Sequence, residues 1–378
     1  MRKCIIISDS FKGTLSSMEI CEIARVSVPK FFPECEIVTV PVADGGEGTV
    51  ACFGAALNAP TVTVTVSGPY GEPVAAAYVR SGEKAVIEMA ATAGLPLVGE
   101  HKDPERTTTY GVGELIAHAV RGGAKEILLG LGGSATNDGG CGCAAALGVR
   151  FLDENGAEFI PTGGTLERIS GIDIAPAQRL LQGVRVTAMC DVDNPLTGPR
   201  GAAAIFAPQK GADTEMVARL ERGLCHLNRV LGRELDVSLD RVPGAGAAGG
   251  FGAGCIAFLG GSLCSGIDAV LTMVEFDRLL DGAELVITGE GRIDGQSVHG
   301  KVISGVAAHT REKHVPLVVI AGGIAPEAEQ AYDLGVTAMF GIDREALSLA
   351  EYAGRSAECY RRTLEDVLRL IRAGIAAS

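Results

Sequence analysis

The sequence predicts an α/β protein of two lobes, in which a parallel-sheet domain built from both ends of the chain carries a second, mixed α/β domain as an insertion. Three observations predict this class. Apolar strands, polar glycine-rich turns and helices alternate near both ends of the chain. Between the ends, valine alternates with threonine over 61–66, and further apolar runs up to residue 89 continue the pattern of a meander of strands. The length of 378 residues also favours two domains over one.

The expected borders place residues 1–65 and 278–378 in the parallel-sheet domain and residues 66–277 in the inserted domain. Strands, glycine-rich turns and helices alternate in the same way at the two ends but not in the middle, and this favours the arrangement. The alternative is an N-terminal and a C-terminal lobe in series. The sequence has no internal repeat and no low-complexity linker that would mark a border by itself.

Composition and charge limit the function classes. Hydrophobic residues make up 47% of the chain and charged residues 21%, which is enough apolar material for packed cores and excludes general disorder. With 33 Lys and Arg against 46 Asp and Glu, the formal net charge is −13. This is the wrong sign for a general nucleic-acid or anionic-membrane binder. The negative net charge does not exclude a small anionic ligand that a few nearby cationic side chains hold.

Cysteine usage and hydropathy predict the compartment. The eleven cysteines are irregularly spaced and include no C-x-x-C pair, which favours small buried thiols in a reducing compartment over disulfides or metal sites. The N-terminal apolar run is too short for a signal peptide, and no apolar stretch is long enough to span a membrane. We therefore expect a soluble, cytoplasmic protein without a membrane partner.

The N-terminal elements follow the order of a parallel sheet. Apolar, β-branched runs predict strands over 4–8 and 36–42, and the apolar spacing between them predicts a helix over 16–31. Ser16 is the expected N-cap of this helix, because Glu19 follows at the spacing of a capping box. Strand, polar turn, helix and strand in this order are typical of parallel α/β folds.

The remaining elements are predicted in the same way. A turn at 69–73 separates the first strand of the meander from strands at 75–79 and 85–89. Strands are then expected at 126–131, 184–189, 284–288 and 316–320. Helices are expected at 111–121, 144–147, 215–231, 300–313 and 355–372.

The loop 130–140 is the strongest candidate for holding phosphates. Ligands of parallel sheets bind at the carboxyl ends of the strands, where this loop is expected to lie. Its glycines let the backbone approach phosphate oxygens, and its hydroxyl and amide side chains add donors. The alternative is a glycine turn that only lets a strand and a helix pack closely, and the loop matches neither the Walker A nor the G-x-G-x-x-G pattern. The expected nucleotide-binding residues are Gly132, Gly133, Ser134, Ala135, Thr136 and Asn137.

Two further clusters, 44–49 and 289–294, each place two carboxylates beside glycines at a predicted strand end. Carboxylates at this spacing suit Mg²⁺, which takes one or two of them together with substrate phosphates. Arg292, between the two acids of the second cluster, could clamp a carboxylate or phosphate with its planar guanidinium. Acidic surface loops without a ligand are the alternative. The expected metal ligands are Asp44, Glu47, Glu290 and Asp294.

The segment 191–198 follows another predicted strand. Asp191 and Asp193 lie on one side of an extended chain there. One could act as the base for a substrate hydroxyl, and the other as a metal or orienting ligand. The alternative is an Asx turn that stabilises the Asn-Pro corner.

Three lysines are candidate cations for a charged transition state. Lys12, Lys210 and Lys301 lie in polar segments, and phosphoryl transfer needs cations to offset the charge on the moving group. Solvated surface lysines are the alternative. The glycine-rich segment 243–252 could line a nucleotide, and close helix packing is an equally good explanation.

With these motifs together, the chain resembles the bacterial glycerate kinases of the glyoxylate/glucarate-pathway type. Ser8 and Thr14 stand where the family often has Pro and Ser, and neither belongs to the charged set. The resemblance implies two α/β lobes, one of them flavodoxin/Rossmann-like, and the ATP- and Mg²⁺-dependent phosphorylation of D-glycerate to 2-phosphoglycerate. The matching stretches are 9–13, 42–49, 131–140, 190–198, 208–211, 243–250 and 287–296.

Placed on these motifs, the residue chemistry gives a mechanism. Residues 132–137 and Lys301 bind ATP, and Mg²⁺ joins its phosphates to the acidic clusters. Asp191 takes the hydroxyl proton. The remaining expected catalytic residues share the substrate carboxylate and the developing charge, and these are Lys12, Arg292 and Lys210.

The alternatives to this function are a kinase of another small hydroxy acid and a glycerate 3-kinase. A more distant one is an NAD-dependent dehydrogenase, which would need a first-strand G-x-G-x-x-G that the chain lacks. A periplasmic-type binding protein would need an export signal. We expect a small-molecule substrate, D-glycerate, and no nucleic-acid partner, and leave a homodimer open.

Overall fold

The computed structural model describes residues 1–11, 13–295, 301–343 and 354–377. The strands are β1 Lys3–Ser8, β2 Glu36–Pro41, β3 Thr61–Ser67, β4 Pro73–Ser81, β5 Lys84–Glu88, β6 Glu126–Gly130, β7 Arg150–Leu152, β8 Glu158–Phe159, β9 Gly171–Asp173, β10 Arg185–Met189, β11 Ser262–Cys264, β12 Leu285–Thr288, β13 Arg292–Ile293, β14 Leu317–Ala321, β15 Gly323–Ile324 and β16 Val336–Gly341.

The α-helices are α1 Ser17–Ser27, α2 Thr49–Ala56, α3 Ala90–Ala93, α4 Leu95–Val98, α5 Tyr110–Arg121, α6 Cys141–Ala146, α7 Ala175–Leu180, α8 Ala202–Phe206, α9 Thr214–Leu235, α10 Ala247–Leu259, α11 Gly266–Met273, α12 Phe276–Leu279, α13 Val302–Glu312, α14 Ala331–Leu334 and α15 Ser356–Ala377. Short 3₁₀ helices lie at Val28–Lys30, Gly163–Arg168, Pro208–Lys210 and Pro326–Gln330. None of the described helices is long and apolar enough to cross a bilayer.

Backbone contacts divide the chain into two compact units. The first unit comprises Met1–Ala43, Ala55–Asn58 and Ser265–Ser378, and the second comprises Asp44–Gly54 and Ala59–Cys264. Both ends of the chain therefore lie in the first unit. The domain borders expected at residues 65 and 278 stay a prediction beside this division.

The first unit contains a five-stranded sheet in the order β2-β1-β12-β14-β16, and every pair in it is parallel. This is the flavodoxin-like order 2-1-3-4-5, in which the chain changes direction of winding between the first and third strands. Helices α1 and α15 share one apolar core with the sheet, where the rings of Phe11 and Tyr360 meet edge to face. Helix α13 contacts β12 and β14. The predicted parallel α/β class is confirmed.

Helix α1 shows how local sequence sets the ends of an element. Ser16 accepts a hydrogen bond from the Glu19 backbone, and the Glu19 carboxylate accepts one from the Ser16 N–H, so the predicted capping box is confirmed. The helix ends at Ser27, earlier than the predicted residue 31. Pro29 lies just beyond it and has no backbone N–H to continue the α-helical ladder, so one 3₁₀ turn follows instead.

The second unit contains a mixed sheet in the order β3-β4-β5-β6-β10-β11. Its first three strands form the predicted antiparallel meander. The pairs β5–β6, β6–β10 and β10–β11 are parallel, so these four strands end at the same edge. A separate antiparallel sheet of order β8-β7-β9 was not predicted, because its strands are only two or three residues long.

The glycine-rich start of α10 is not regular helix. Ala248, Gly249 and Gly250 have φ angles of 53°, 67° and 91°, so three successive residues adopt the left-handed conformation. Regular helix begins only after Gly250. An L-residue in this region is strained, and Ala248 is the one of the three that has a Cβ.

Candidate functional site

In the second unit, the loop 130–140 leaves the carboxyl end of β6 and packs on the loop 44–49. The Gly132 N–H donates to the Gly45 carbonyl over 2.9 Å. A Cβ on Gly132 would lie 2.6 Å from the Cα of Gly46, and one on Gly45 would lie 3.1 Å from the Cβ of Met189 at the end of β10. The glycines thus allow three backbone segments to meet at one edge of the sheet.

Only the first part of the loop 130–140 reaches the surface. Gly133 is exposed and Gly132 half-buried, whereas Ser134, Ala135, Thr136 and Asn137 are buried. The hydroxyl of Thr136 and the amide of Asn137 have no hydrogen-bond partner among the described residues. We expected all six residues to face a nucleotide. The surface of this loop offers the backbone of Gly132 and Gly133, and the polar groups that follow lie inside.

Lys210 lies inside as well. Its side chain is 1% exposed, and its ammonium donates to the Ser134 Oγ over 2.8 Å and to the Thr136 carbonyl over 2.6 Å. Burial lowers the pKa of this lysine to about 7, against an opposing effect of the Asp138 charge. We expected Lys210 to share charge with the substrate. The structure places its ammonium on the loop instead.

Asp138 is a buried carboxylate that sequence reasoning did not single out. Its oxygens accept hydrogen bonds from the backbone N–H groups of Thr109, Gly140 and Gly142, and from the Thr109 hydroxyl. Burial raises the pKa of Asp138, and these four donors oppose the rise. The sequence hint was an Asp directly before two glycines and a helix, where a carboxylate can collect free N–H groups.

The loop 44–49 presents the first pair of predicted metal ligands. Asp44 and Glu47 are exposed, and the Asp44 Oδ1 accepts from the Gly46 N–H over 3.1 Å. Glu88, at the end of β5, accepts from the Val50 N–H at the start of α2 and holds the far side of this loop. Burial raises the pKa of Glu88, with a smaller contribution from the Glu47 charge. Glu88 is a second carboxylate that the sequence analysis missed.

The segment 190–198 leaves the end of β10 at the same edge of the sheet. Asp191 is exposed, and the Asp193 carboxylate pairs with Arg200 over 2.9 Å. The Asn194 side chain donates to the Arg200 carbonyl. Asp193 is thus part of a small surface turn.

The glycine-rich segment 243–254 contacts two of these loops through its backbone. A Cβ on Gly246 would overlap the Pro195 carbonyl, and one on Gly249 would overlap the Thr136 carbonyl. The Gly139 N–H also donates to the Gly249 carbonyl over 3.1 Å. Close packing therefore explains these glycines, and the packing joins the loop after β6 to the loop after β10.

In the first unit, the remaining predicted residues follow strand ends. The Asp9 N–H and the Ser8 hydroxyl both donate to the Gly289 carbonyl, which joins the ends of β1 and β12. Glu290, next in the chain, is 6% exposed. Arg292 is exposed in β13, Asp294 is half-buried, and Lys301 is exposed as the residue before α13. Lys12 lies outside the described residues.

The acidic residues of the described chain do not form a complete metal site by themselves. In the described part of the chain, no three His, Cys, Asp or Glu side chains are grouped so that they could hold a metal ion. The two exposed carboxylates of the loop 44–49 still fit Mg²⁺ in the form that uses one or two protein ligands and takes the others from phosphates and water.

Comparisons with known proteins agree on one family. A family model described as the glycerate kinase family matches residues 4–372. The chain is 44% identical over 379 residues to the glycerate 2-kinase of Escherichia coli, covering 100% of this chain and 97% of that protein. It is 43% identical over 373 residues to the glycerate kinase of Bacillus subtilis, with 98% of each chain covered.

A solved structure supports the same likeness. The crystal structure of a protein described as glycerate kinase 2 from Salmonella typhimurium LT2 superposes with a TM-score of 0.87. The two sequences are 39% identical, and the match covers 99% of each chain.

Proposed function

Since this chain belongs to the glycerate kinase family, and is therefore a kinase with an alcohol acceptor and a nucleotide donor, we propose that it transfers the γ-phosphoryl group of ATP to the C2 hydroxyl of D-glycerate. The products are 2-phosphoglycerate and ADP. The Escherichia coli relative, which is named a glycerate 2-kinase, supports the choice of hydroxyl.

The observation that carries the proposal is that a glycine backbone and two carboxylates lie side by side at one edge of the second unit's sheet. The exposed Gly133 and the half-buried Gly132 lie directly beside the loop of Asp44 and Glu47. Glycines without Cβ atoms let phosphate oxygens approach the backbone, and adjacent carboxylates suit the cation that accompanies them. We assign the phosphates of ATP to the backbone at Gly133, because the Gly132 N–H already donates to the Gly45 carbonyl.

Asp44 and Glu47 would hold Mg²⁺, which neutralises phosphate charge when bound. The carboxylate of Asp44 is already oriented by the Gly46 N–H, and Glu88 anchors the start of α2 behind the loop. In the first unit, Glu290 and Asp294 as metal ligands, Arg292 as a substrate contact and Lys301 as a nucleotide contact remain proposals from residue chemistry.

Asp191 is the proposed base. Its carboxylate accepts the proton of the C2 hydroxyl as the oxygen attacks phosphorus, so no charged alkoxide has to form in advance. Asp191 lies two residues beyond β10, at the edge of the sheet where the glycine backbone of the loop 130–140 begins. The protein contributes mainly by positioning the substrate hydroxyl and the phosphates at this edge, because phosphoryl transfer requires little covalent chemistry from the enzyme.

A coupled ADP-release assay over small hydroxy acids tests the proposal. We expect turnover with ATP and D-glycerate, and much slower turnover with L-glycerate, glycolate and D-lactate. ADP release without an acceptor measures background hydrolysis and serves as the control. Faster turnover of another hydroxy acid would move the assignment to that substrate, and no acceptor-dependent release would reject it.

The compartment and the oligomeric state stay predictions. A cytoplasmic location rests on the sequence features given above. Light scattering on the purified protein would show whether it is a monomer or a homodimer.

A further inference from the structure

Lys210 makes an unusual set of contacts for a lysine. Its ammonium is inside the protein and donates to one side-chain oxygen and one backbone oxygen, both from the loop 130–140. The two acceptors, the Ser134 Oγ and the Thr136 carbonyl, lie on either side of Ala135. One cation therefore holds two positions of the loop, directly after the exposed Gly133.

The loop that accepts from this ammonium contains further buried polar groups. The Thr136 hydroxyl and the Asn137 amide, both fully buried, have no hydrogen-bond partner among the described residues. Asp138 is the charged group that acts on the ammonium. Lys102 lies on the outer side of the same 3₁₀ turn, where its exposed ammonium donates to the Gln209 carbonyl.

We infer that Lys210 is a positioning residue of the nucleotide site, which acts through Ser134 and Thr136 to hold the exposed backbone of Gly133 in the shape that binds phosphate. This rests on the proposed function, because it assumes that the loop 130–140 binds ATP. It differs from a catalytic role, since the ammonium is buried and donates to the loop itself.

The physical reason is the strength of charged hydrogen bonds in a low-dielectric interior. The loop has a glycine-rich start with little conformational restraint of its own, and backbone hydrogen bonds from Gly132 to the Gly45 carbonyl and from Leu95 to the Gly133 carbonyl hold it on one side. Lys210 adds an anchor to the residues just after these glycines, so that ATP binding has less ordering to supply. Its positive charge also lies on the inner side of the loop, where it favours an anion on the outer side.

The test uses Lys210→Met in the full-length protein. Methionine has a similar length and fills the cavity, but it donates no hydrogen bond. We expect the KM for ATP to rise about ten- to hundredfold, in line with the loss of two hydrogen bonds from a charged donor. The KM for D-glycerate and kcat should change far less. Lys102→Met is the matched control, because it removes an exposed lysine that contacts the same turn from outside, and it should leave the KM for ATP unchanged.

A double-mutant cycle with Ser134→Ala separates positioning from general stability. If Lys210 acts through Ser134, Lys210→Met should raise the KM for ATP less in the Ser134→Ala protein than in wild type. Equal effects in both backgrounds would overturn the inference. Should Lys210→Met fail to fold, Ser134→Ala alone decides, because an unchanged KM for ATP in that variant also overturns it.

The pH profile gives an independent readout. Deprotonation of Lys210 removes the charge, so the KM for ATP in wild type should rise more steeply above about pH 7 than in Lys210→Met. Parallel profiles would contradict the inference. Failure of the proposed function is distinguishable, because the wild-type protein would then show no ATP-dependent turnover of D-glycerate at any pH.

Discussion

At the scale of single residues, the site depends on polar groups that are placed inside the protein. Lys210 and Asp138 are buried charged side chains of the second unit, and both serve the loop 130–140. The sequence predicts that Lys210 faces the substrate. It assigns no role to Asp138. Charged residues are mostly exposed, so a sequence argument assigns them to the surface by default. Burial depends on distant packing, which no local pattern encodes.

The buried ammonium makes stability depend on pH. The pKa of Lys210 is about 7 in the folded protein, against 10.5 for an ordinary lysine. Between these values the unfolded chain binds more protons, so the free energy of unfolding contributed by this residue rises with pH. Relative to Lys210→Met, wild type should gain at most about 3 kcal/mol from pH 7 to pH 9. Urea unfolding at both pH values measures it, and a constant difference between the two proteins would contradict it.

Asp191 and Asp193 can be told apart by substitution. Asp191→Asn should lower kcat by about 10² to 10⁴ with little change in either KM, because the amide cannot accept the proton. Asp193→Asn should have a much smaller effect, since it removes an exposed pair with Arg200 of the kind that contributes about 0–1 kcal/mol. Steady-state kinetics of both variants decide. A loss in Asp191→Asn below about tenfold would return this residue to a structural role.

At the scale of elements, glycines determine how closely the loops of the second unit approach one another. The left-handed run from Ala248 to Gly250 presses the backbone of Gly249 against Thr136. The sequence predicted a glycine-rich turn at this point and left open whether it lines a ligand or packs. It could not predict the left-handed conformation of Ala248, because tertiary contacts hold an alanine where local preference opposes it.

Neighbouring substitutions in this run should have opposite effects. Gly249→Ala places a Cβ against the Thr136 carbonyl, so we expect a loss of about 1–3 kcal/mol in the free energy of unfolding and a higher KM for ATP. Ala248→Gly relieves a strained left-handed residue, so stability should stay the same or rise by up to about 1 kcal/mol. Urea unfolding of both variants tests this. Equal losses in the two would mean that the left-handed run is not the cause.

At the scale of the whole molecule, the parallel sheet and the meander were predictable because apolar runs and alternation are local signals. The strand order β2-β1-β12-β14-β16 was not, since pairing between β1 and β12 joins residues about 280 positions apart. The sequence also gave no sign that Asp44–Gly54 belongs to the second unit. Ligands of parallel sheets bind at the carboxyl ends of the strands, and this rule was enough to pick out the loops at 44–49, 130–140 and 191–198 from the sequence. In the structure these loops lie at one edge of the sheet.

The position of the phosphoryl group in the product tests the central proposal most directly. In 2-phosphoglycerate the phosphorus is linked through oxygen to a carbon with one hydrogen, whereas in 3-phosphoglycerate that carbon has two. Beside the signals of ADP, proton-coupled ³¹P NMR of the reaction with ATP and D-glycerate should therefore show one phosphomonoester signal that a single proton splits into a doublet and that proton decoupling collapses. A triplet would contradict transfer to the C2 hydroxyl, and inorganic phosphate as the only new signal beside those of ADP would contradict transfer to D-glycerate.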